Sequence, residues 1–86
     1  MTMRLRAAAR APQTLIYTGY NVENGFIWGP ESRGEYWIRD GYILGPGNAT
    51  AYRVRGGRIY GPDHSGEFLI DGPSIYGPHR SLPWLR

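Results

Sequence analysis

The sequence contains no cysteine and no lysine, and only two of its 86 residues are histidine. Without cysteine the chain can form neither a disulfide framework nor a thiolate metal site. No apolar stretch approaches the length of a membrane-spanning helix, so we expect no membrane association. Because so short a chain buries only a modest core, association between copies is the support that remains.

Arginine supplies all of the formal positive side-chain charge, and the excess lies near the two ends. Arg4, Arg6 and Arg10 at one end, and Arg80 and Arg86 at the other, have no acid beside them. The sequence between them holds five arginines and seven acids, a net charge of −2. The central region is therefore slightly acidic, which weakens the argument from a pI near 9.6 to nucleic-acid binding.

Residues 1–13 share no pattern with the rest of the chain. The opening letters MTMRLRAAARAP have the charge of a signal peptide but lack the apolar segment that must follow it. We predict a flexible, arginine-containing arm at 1–13 and a single domain at 14–86 that ends in a short tail. The predicted location is cytoplasmic.

One phrase occurs four times at a spacing of sixteen residues: GFIWGP from residue 25, GYILGP from 41, GRIYGP from 57 and PSIYGP from 73. An aromatic residue precedes each phrase at a constant distance, namely Tyr20, Tyr36, Tyr52 and Phe68. A β-branched residue lies two positions after each aromatic residue, namely Val22, Ile38, Val54 and Ile70. A fixed period of this kind is the signature of a repeat architecture.

The pairs between the aromatic segment and the phrase predict β-hairpins. Asn24-Gly25, Asp40-Gly41 and Gly56-Gly57 are strong signals for a two-residue turn, because both turn residues must tolerate positive φ. In the fourth repeat Pro73 excludes a type I′ turn. That repeat is left with a II′ turn led by Gly72 or a three-residue loop that includes Asp71.

A two-residue turn fixes the pairing within each hairpin. Ile38 then faces Ile43, and Tyr36 faces Gly45. Because side chains alternate along a strand, one face repeats in all hairpins, and we predict that it forms the core. The predicted core residues are Ile27, Ile43, Ile59 and Ile75, together with Tyr36, Tyr52 and Phe68. The glycine opposite each aromatic either lies beneath the ring or merely ends the strand.

Sixteen residues cannot bury their own apolar face, so the hairpins must cover one another. They can stack as an open antiparallel meander or close around an axis. The last repeat of an open array usually becomes polar, but the fourth repeat here keeps Phe68, Ile70 and Ile75. We therefore predict an all-β fold of four tandem hairpins around a pseudo-fourfold axis.

The repeated pattern Y-x-I-x-x-G-x-I-Y-G-P over residues 20–78 resembles the small bacterial family named the four-fold beta-flower domain. The resemblance implies four hairpin petals around an axis, and it implies no activity or site residue. Two departures concern turn geometry, since Gly56-Gly57 and Gly72-Pro73 replace Asp-Gly. The first repeat also lacks an upstream Gly-Glu.

The opposite face of the hairpins does not repeat. It carries more large aromatic residues than a solvated face would, and more arginine than a buried face would leave unpaired. Its binding candidates are Trp37, Arg39, Arg53, Arg55, Arg58 and Tyr60. Arginine beside aromatic rings holds single-stranded nucleic acid or an anionic ligand, or it stacks in a contact between copies.

Signals for catalysis and metal binding are weak. Asp63, His64 and Glu67 lie close together in the loop PDHSGE, but the loop PESRGE has no histidine and polar residues are ordinary in loops. Glu35 and Glu67 recur at one position, where paired carboxylates bind a cation, act as acid and base, or simply solvate a strand. We assign no catalytic residue, no metal ligand and no cofactor.

Three functions remain open. The first is a non-enzymatic interaction module that self-associates or binds a partner through the variable face, with a homodimer favoured and Trp37 as its anchor. The second is a protein that binds nucleic acid or an anionic ligand through Arg53, Arg55, Arg58 and the terminal arginines. The third is a small enzyme that uses the loops between hairpins.

Overall fold

A computed structural model describes residues 15–47 and 49–85. The predicted arm at 1–13 lies outside the described residues, so that prediction stays open. The described chain forms eight β-strands and one short 3₁₀ helix. The strands are β1 (Ile16–Glu23), β2 (Phe26–Gly29), β3 (Ser32–Arg39), β4 (Tyr42–Leu44), β5 (Ala49–Arg55), β6 (Arg58–Gly61), β7 (His64–Asp71) and β8 (Ser74–Gly77), and the 3₁₀ helix is Pro83–Leu85.

Each strand pairs antiparallel with the next, and β8 pairs back with β1 to close a barrel. Closure leaves no strand edge free to pair with another chain. The predicted all-β fold with hairpins around an axis is confirmed. The alternative of an open meander is excluded by the pairing of Tyr17 with Tyr76.

The hairpin turns lie where the sequence predicts them. Asn24 and Asp40 have φ of 54° and 53°, as the first residue of a type I′ turn requires. In the fourth turn Gly72 has φ of 63°, and Asp71 pairs with Ser74. The fourth turn is therefore a two-residue turn led by glycine, and not a three-residue loop. The predicted pairs follow in every hairpin: Val22 with Ile27, Ile38 with Ile43, Val54 with Ile59, and Ile70 with Ile75.

One backbone hydrogen bond recurs at every junction between neighbouring hairpins. The amide of Ile38 donates to the carbonyl of Gly25, in the turn of the preceding hairpin, at 2.7 Å. The equivalent bonds, also 2.7 Å long, join Val54 to Gly41, Ile70 to Gly57, and Val22 to Pro73. The last of these joins the fourth hairpin to the first, so the ring closes with the same contact that builds it.

The repeated face forms the interior of the barrel. Ile27, Ile43, Ile59 and Ile75 are fully buried, as predicted. The aromatic ring of each repeat lies on the backbone of the glycine opposite it, where any β-carbon would overlap the ring: Tyr20 on Gly29, Tyr36 on Gly45, Tyr52 on Gly61, and Phe68 on Gly77. These glycines therefore make room for a ring, which was one of the two predicted alternatives.

The tail segment, residues 78–85, turns back over the core. Leu82 and Trp84 are buried there. The ring centroid of Trp84 lies 5.6 Å from that of Tyr52, and the His79 ring meets the edge of Phe68 at 5.4 Å. Neither contact involves Tyr36. This residue was predicted to be in the core, but it is only partly buried. The sequence did not predict this docking, because the tail segment is not part of the repeat.

The β-bulges at the junctions are of two kinds. In the first strand of the first hairpin, Thr18 donates from Oγ1 to the carbonyl of Ile75 at 2.7 Å. In the first strand of the third hairpin, Thr50 donates from Oγ1 to the carbonyl of Ile43 at 2.8 Å. At the equivalent positions of the second and fourth hairpins stand Gly34 and Gly66, with φ of 85° and 89°. The barrel is therefore fourfold in its core and twofold in its bulges.

Candidate functional site

Cross-strand pairing arranges the outward side chains in four equivalent rows, each of which runs from a hairpin turn across consecutive strands. The apolar row is Glu23, Phe26, Trp37 and Leu44. The arginine–tyrosine row is Arg39, Tyr42, Arg53 and Tyr60. The second arginine row is Arg55, Arg58, Leu69 and Tyr76. The polar row is Asp71, Ser74, Asn21 and Trp28.

The predicted binding residues all lie on this outer face, but they are divided among three rows. Trp37 belongs to the apolar row. Arg39, Arg53 and Tyr60 belong to the arginine–tyrosine row, and the remaining two, Arg55 and Arg58, to the second arginine row. They lie on β3, β5 and β6, and none of them is on β4. Their role in binding stays a prediction.

In the arginine–tyrosine row, positive and aromatic side chains alternate. Arg53 pairs with Tyr42 on β4 and with Tyr60 on β6, and Tyr42 also pairs with Arg39. The Tyr42 side chain is 52% exposed, and Tyr60 is half-buried. A groove of about 360 Å³ runs along this row between Tyr42, Arg53 and Tyr60, with Ala51 and Gly61 in its wall.

The arginines of these two rows are not neutralised by carboxylates. Arg55 pairs directly with Arg58, an arrangement of like charges that is unfavourable without a counter-charge. Arg58 donates from Nη1 to the carbonyl of Gly66 at 2.8 Å, which orients its guanidinium. Within residues 15–47 and 49–85, no carboxylate lies within 4.0 Å of Arg39, Arg53, Arg55 or Arg58.

A second exposed surface lies on β2 and β3. Phe26 and Trp28 are each 42% exposed, and both point outward because they are two residues apart on one strand. The ring of Trp37 lies 6.2 Å from that of Phe26. Trp37, the predicted anchor, is partly buried, so Phe26 and Trp28 present more of their surface to a partner.

The side chains of Asp63 and His64, in the loop singled out from the sequence, contact residues of the core. The Tyr52 hydroxyl donates to Oδ1 of Asp63 at 3.0 Å, and Nδ1 of His64 lies 3.2 Å from the same oxygen. The bond from Tyr52, and secondarily the contact with His64, lower the pKa of the Asp63 carboxyl. The His64 ring also packs against Phe68 at 5.4 Å. These contacts attach the loop to the core.

The recurring glutamates are engaged with the backbone. Oε1 of Glu35 accepts the amide of Arg33 at 2.7 Å, and Oε1 of Glu67 accepts the amide of Ser65 at 2.6 Å. Each carboxylate stabilises the bulge beside Gly34 or Gly66. Among the described residues, no three histidine or acidic side chains converge as a metal site.

Another groove, of about 450 Å³, lies apart from the arginine–tyrosine row and the second arginine row. It separates the tail segment from the first hairpin and is lined by Tyr20, Glu31, Arg80 and Leu82 among others. It contains one acid and one arginine, without the alternation found on the outer face. We therefore place the candidate site on the arginine–tyrosine row and the second arginine row.

Sequence reasoning did not select Tyr42 as a site residue. Its pairing with Arg53 crosses a junction between hairpins, where the register shifts between Ile43 and Leu44. Turn chemistry fixes the register within a hairpin, but the bulge position is not readable from one sequence. Trp84 could have been noticed through the apolar letters LPWL at residues 82–85, which follow the last repeat.

Comparison with protein-family models, with curated proteins and with solved structures finds no match to the chain. The closed barrel of hairpins is compatible with the repeated-hairpin fold that the sequence pattern resembles. In the described part of the chain, no helix is long and apolar enough to cross a membrane. The predicted cytoplasmic location stays a prediction.

Proposed function

We propose that the protein is a small non-enzymatic interaction module of the four-fold beta-flower type, and that its first partner is a second copy of the chain. The supporting observation is the exposure of Phe26 and Trp28, 42% each, on one strand of a barrel that has a closed core. Neighbouring exposed aromatic side chains commonly mark a contact surface. Aromatic residues are also enriched at the centre of protein interfaces.

A twofold dimer uses one such surface twice. Glu23 pairs with Phe26, and Arg33 pairs with Trp28, so an acid and a base flank the aromatic pair at opposite ends. Both charged side chains are exposed. An axis between Phe26 and Trp28 brings the acid of one copy toward the base of the other, which favours a single register.

The experiment is light scattering at micromolar concentration. We expect the intact chain to have about twice the 9.7 kDa of one copy, and the double variant Phe26→Ala/Trp28→Ala to be monomeric. Tyr17→Ala is the matched control, because Tyr17 is 44% exposed but pairs with Tyr76 of the second arginine row. Trp37→Ala tests the predicted anchor. A monomeric intact chain would contradict the proposal.

A further inference from the structure

We propose that single-stranded nucleic acid binds across the arginine–tyrosine row and the second arginine row. This surface is separate from the aromatic pair on β2, so the proposal does not depend on self-association. It is carried by three observations: the position of the unpaired charge, the alternation of arginine with tyrosine, and the groove between the two tyrosines.

The positive charge of the two rows is concentrated in one patch and is not neutralised by ion pairs. Arg39, Arg53, Arg55 and Arg58 project from β3, β5 and β6, and none has a carboxylate within 4.0 Å among the residues described. Acids lie near the patch, but among the described residues none forms an ion pair with it. Asp40 lies in the turn next to Arg39, and Glu67 is engaged by the amide of Ser65. The patch therefore keeps an excess of positive charge, the electrostatic requirement for binding a phosphate backbone.

The tyrosines provide surfaces on which bases can stack. Tyr42 and Tyr60 lie on strands two apart, a separation of about 10 Å between strand axes. Arg53 stands between them in the same row. This order allows two bases to stack on the rings while the intervening phosphate meets the guanidinium. Base stacking on aromatic rings combined with arginine is a common mode of binding single strands without sequence preference.

The geometry favours a single strand over a duplex. Reading a duplex through its major groove requires a helix or ribbon that projects into the groove. The candidate surface is instead the convex wall of a barrel whose strands are at most eight residues long. Its tyrosines can act only on bases that are unstacked and accessible. A peptide of acidic residues would use the arginines but would leave Tyr42 without a role.

The test is fluorescence anisotropy with labelled oligothymidine of about twelve nucleotides, titrated with the intact chain from low to physiological salt. The logarithm of the association constant should fall with the logarithm of salt by about 0.7 per phosphate contact. Arg53→Gln should remove one contact, which weakens binding roughly fivefold at about 0.1 M salt and makes the slope shallower by about 0.7. Arg80→Gln is the matched control, since Arg80 is exposed but lies in the tail segment, outside both rows, and it should change neither quantity.

Two variants at Tyr42 separate stacking from charge. Tyr42→Ala should weaken binding by about 5- to 150-fold, the loss expected for one stacked base. Tyr42→Phe keeps the ring and should bind like the intact chain. Because the side chain is exposed, circular dichroism should show that both variants are folded.

Four results would overturn the proposal. The first is the absence of oligothymidine binding at the lowest salt. The second is an equal effect of Arg80→Gln and Arg53→Gln, which would mean diffuse attraction. The third is unchanged binding in Tyr42→Ala with full competition by inorganic polyphosphate, which would identify a general anion surface. The fourth is a matched duplex that binds as tightly as the single strand. None of these results depends on whether Phe26→Ala/Trp28→Ala is a monomer.

Discussion

The inner and outer faces of the barrel are built from the same strands but vary in opposite ways. Inside, an isoleucine of zero exposure occurs in each hairpin, and a ring lies on a glycine in each hairpin. Outside, the position that begins each row is occupied in turn by Glu23, Arg39, Arg55 and Asp71. Closure of the barrel requires the repeated side chains of the inner face, but it does not require any particular side chain on the outer face. The fold therefore depends on the inner face, and the outer face is free to carry function.

The largest expected effect on stability comes from comparing a buried tryptophan with a tryptophan on the outer face. Trp84→Ala should lower the free energy of unfolding by about 3–5 kcal/mol, because it empties a buried site against Tyr52. Trp28→Ala should lower it by only about 1 kcal/mol, because that ring is 42% exposed on the outer face and packs against Gly34. Urea denaturation measures both. Equal losses would show that the tail segment does not belong to the core.

A second comparison uses neighbours on β4. Ile43→Ala should cost about 2–5 kcal/mol, since its side chain is fully buried. Tyr42→Ala should cost less than about 0.5 kcal/mol, since Tyr42 points to the opposite side and is 52% exposed. A loss at Ile43 below about 0.5 kcal/mol would mean that the repeated face is not packed.

The contact of ring on glycine can be tested by a double-mutant cycle. Gly77→Ala should cost about 1–3 kcal/mol, because its β-carbon would overlap the ring of Phe68. With Phe68→Leu already present, the same change should cost much less, because the ring that it displaces is gone. Unfolding free energies of the four species give the coupling. Additive losses would contradict direct contact.

The smallest expected effect concerns pH. The folded-state pKa of Asp63 is lowered, chiefly by the Tyr52 hydroxyl, so its stabilisation exists above the ordinary value of about 3.9. It is lost as pH falls through the lowered value. Asp63→Asn should therefore lose slightly less thermal stability than the intact chain between neutral pH and about pH 3. Identical pH profiles of the melting temperature would show that the bond does not form in solution.

The sequence predicted those parts of the fold that are determined locally or by repetition. Turn pairs such as Asp40-Gly41 set both the turn type and the pairing of Ile38 with Ile43. Repetition then identified the core isoleucines, because only a common face has a reason to recur. The same register left two roles open for the glycine opposite each aromatic residue, and the structure shows that the ring lies on it.

What the sequence could not predict depends on contacts between hairpins. The pairing of Tyr42 with Arg53 depends on a bulge whose position is set by packing of neighbouring strands. Trp84 docks through shape against Tyr52, and it occurs once, so no periodicity marks it. Tyr36 is only partly buried, and the ring contacts of the tail segment are with Tyr52 and Phe68. The candidate site was thus predicted as a set of residue types on one face, whereas its rows depend on the register between hairpins.

The two kinds of junction bulge make the hairpins modular in pairs. Thr18 and Thr50 share one local chemistry, while Glu35 and Glu67 share another. Exchanging the first hairpin with the third would keep every junction chemically matched, whereas exchanging the first with the second would not. In a redesigned barrel, an odd-numbered hairpin should therefore replace only another odd-numbered hairpin, and an even-numbered one only another even-numbered one. The melting temperatures of the two exchanged chains would measure how much stability a mismatched junction costs.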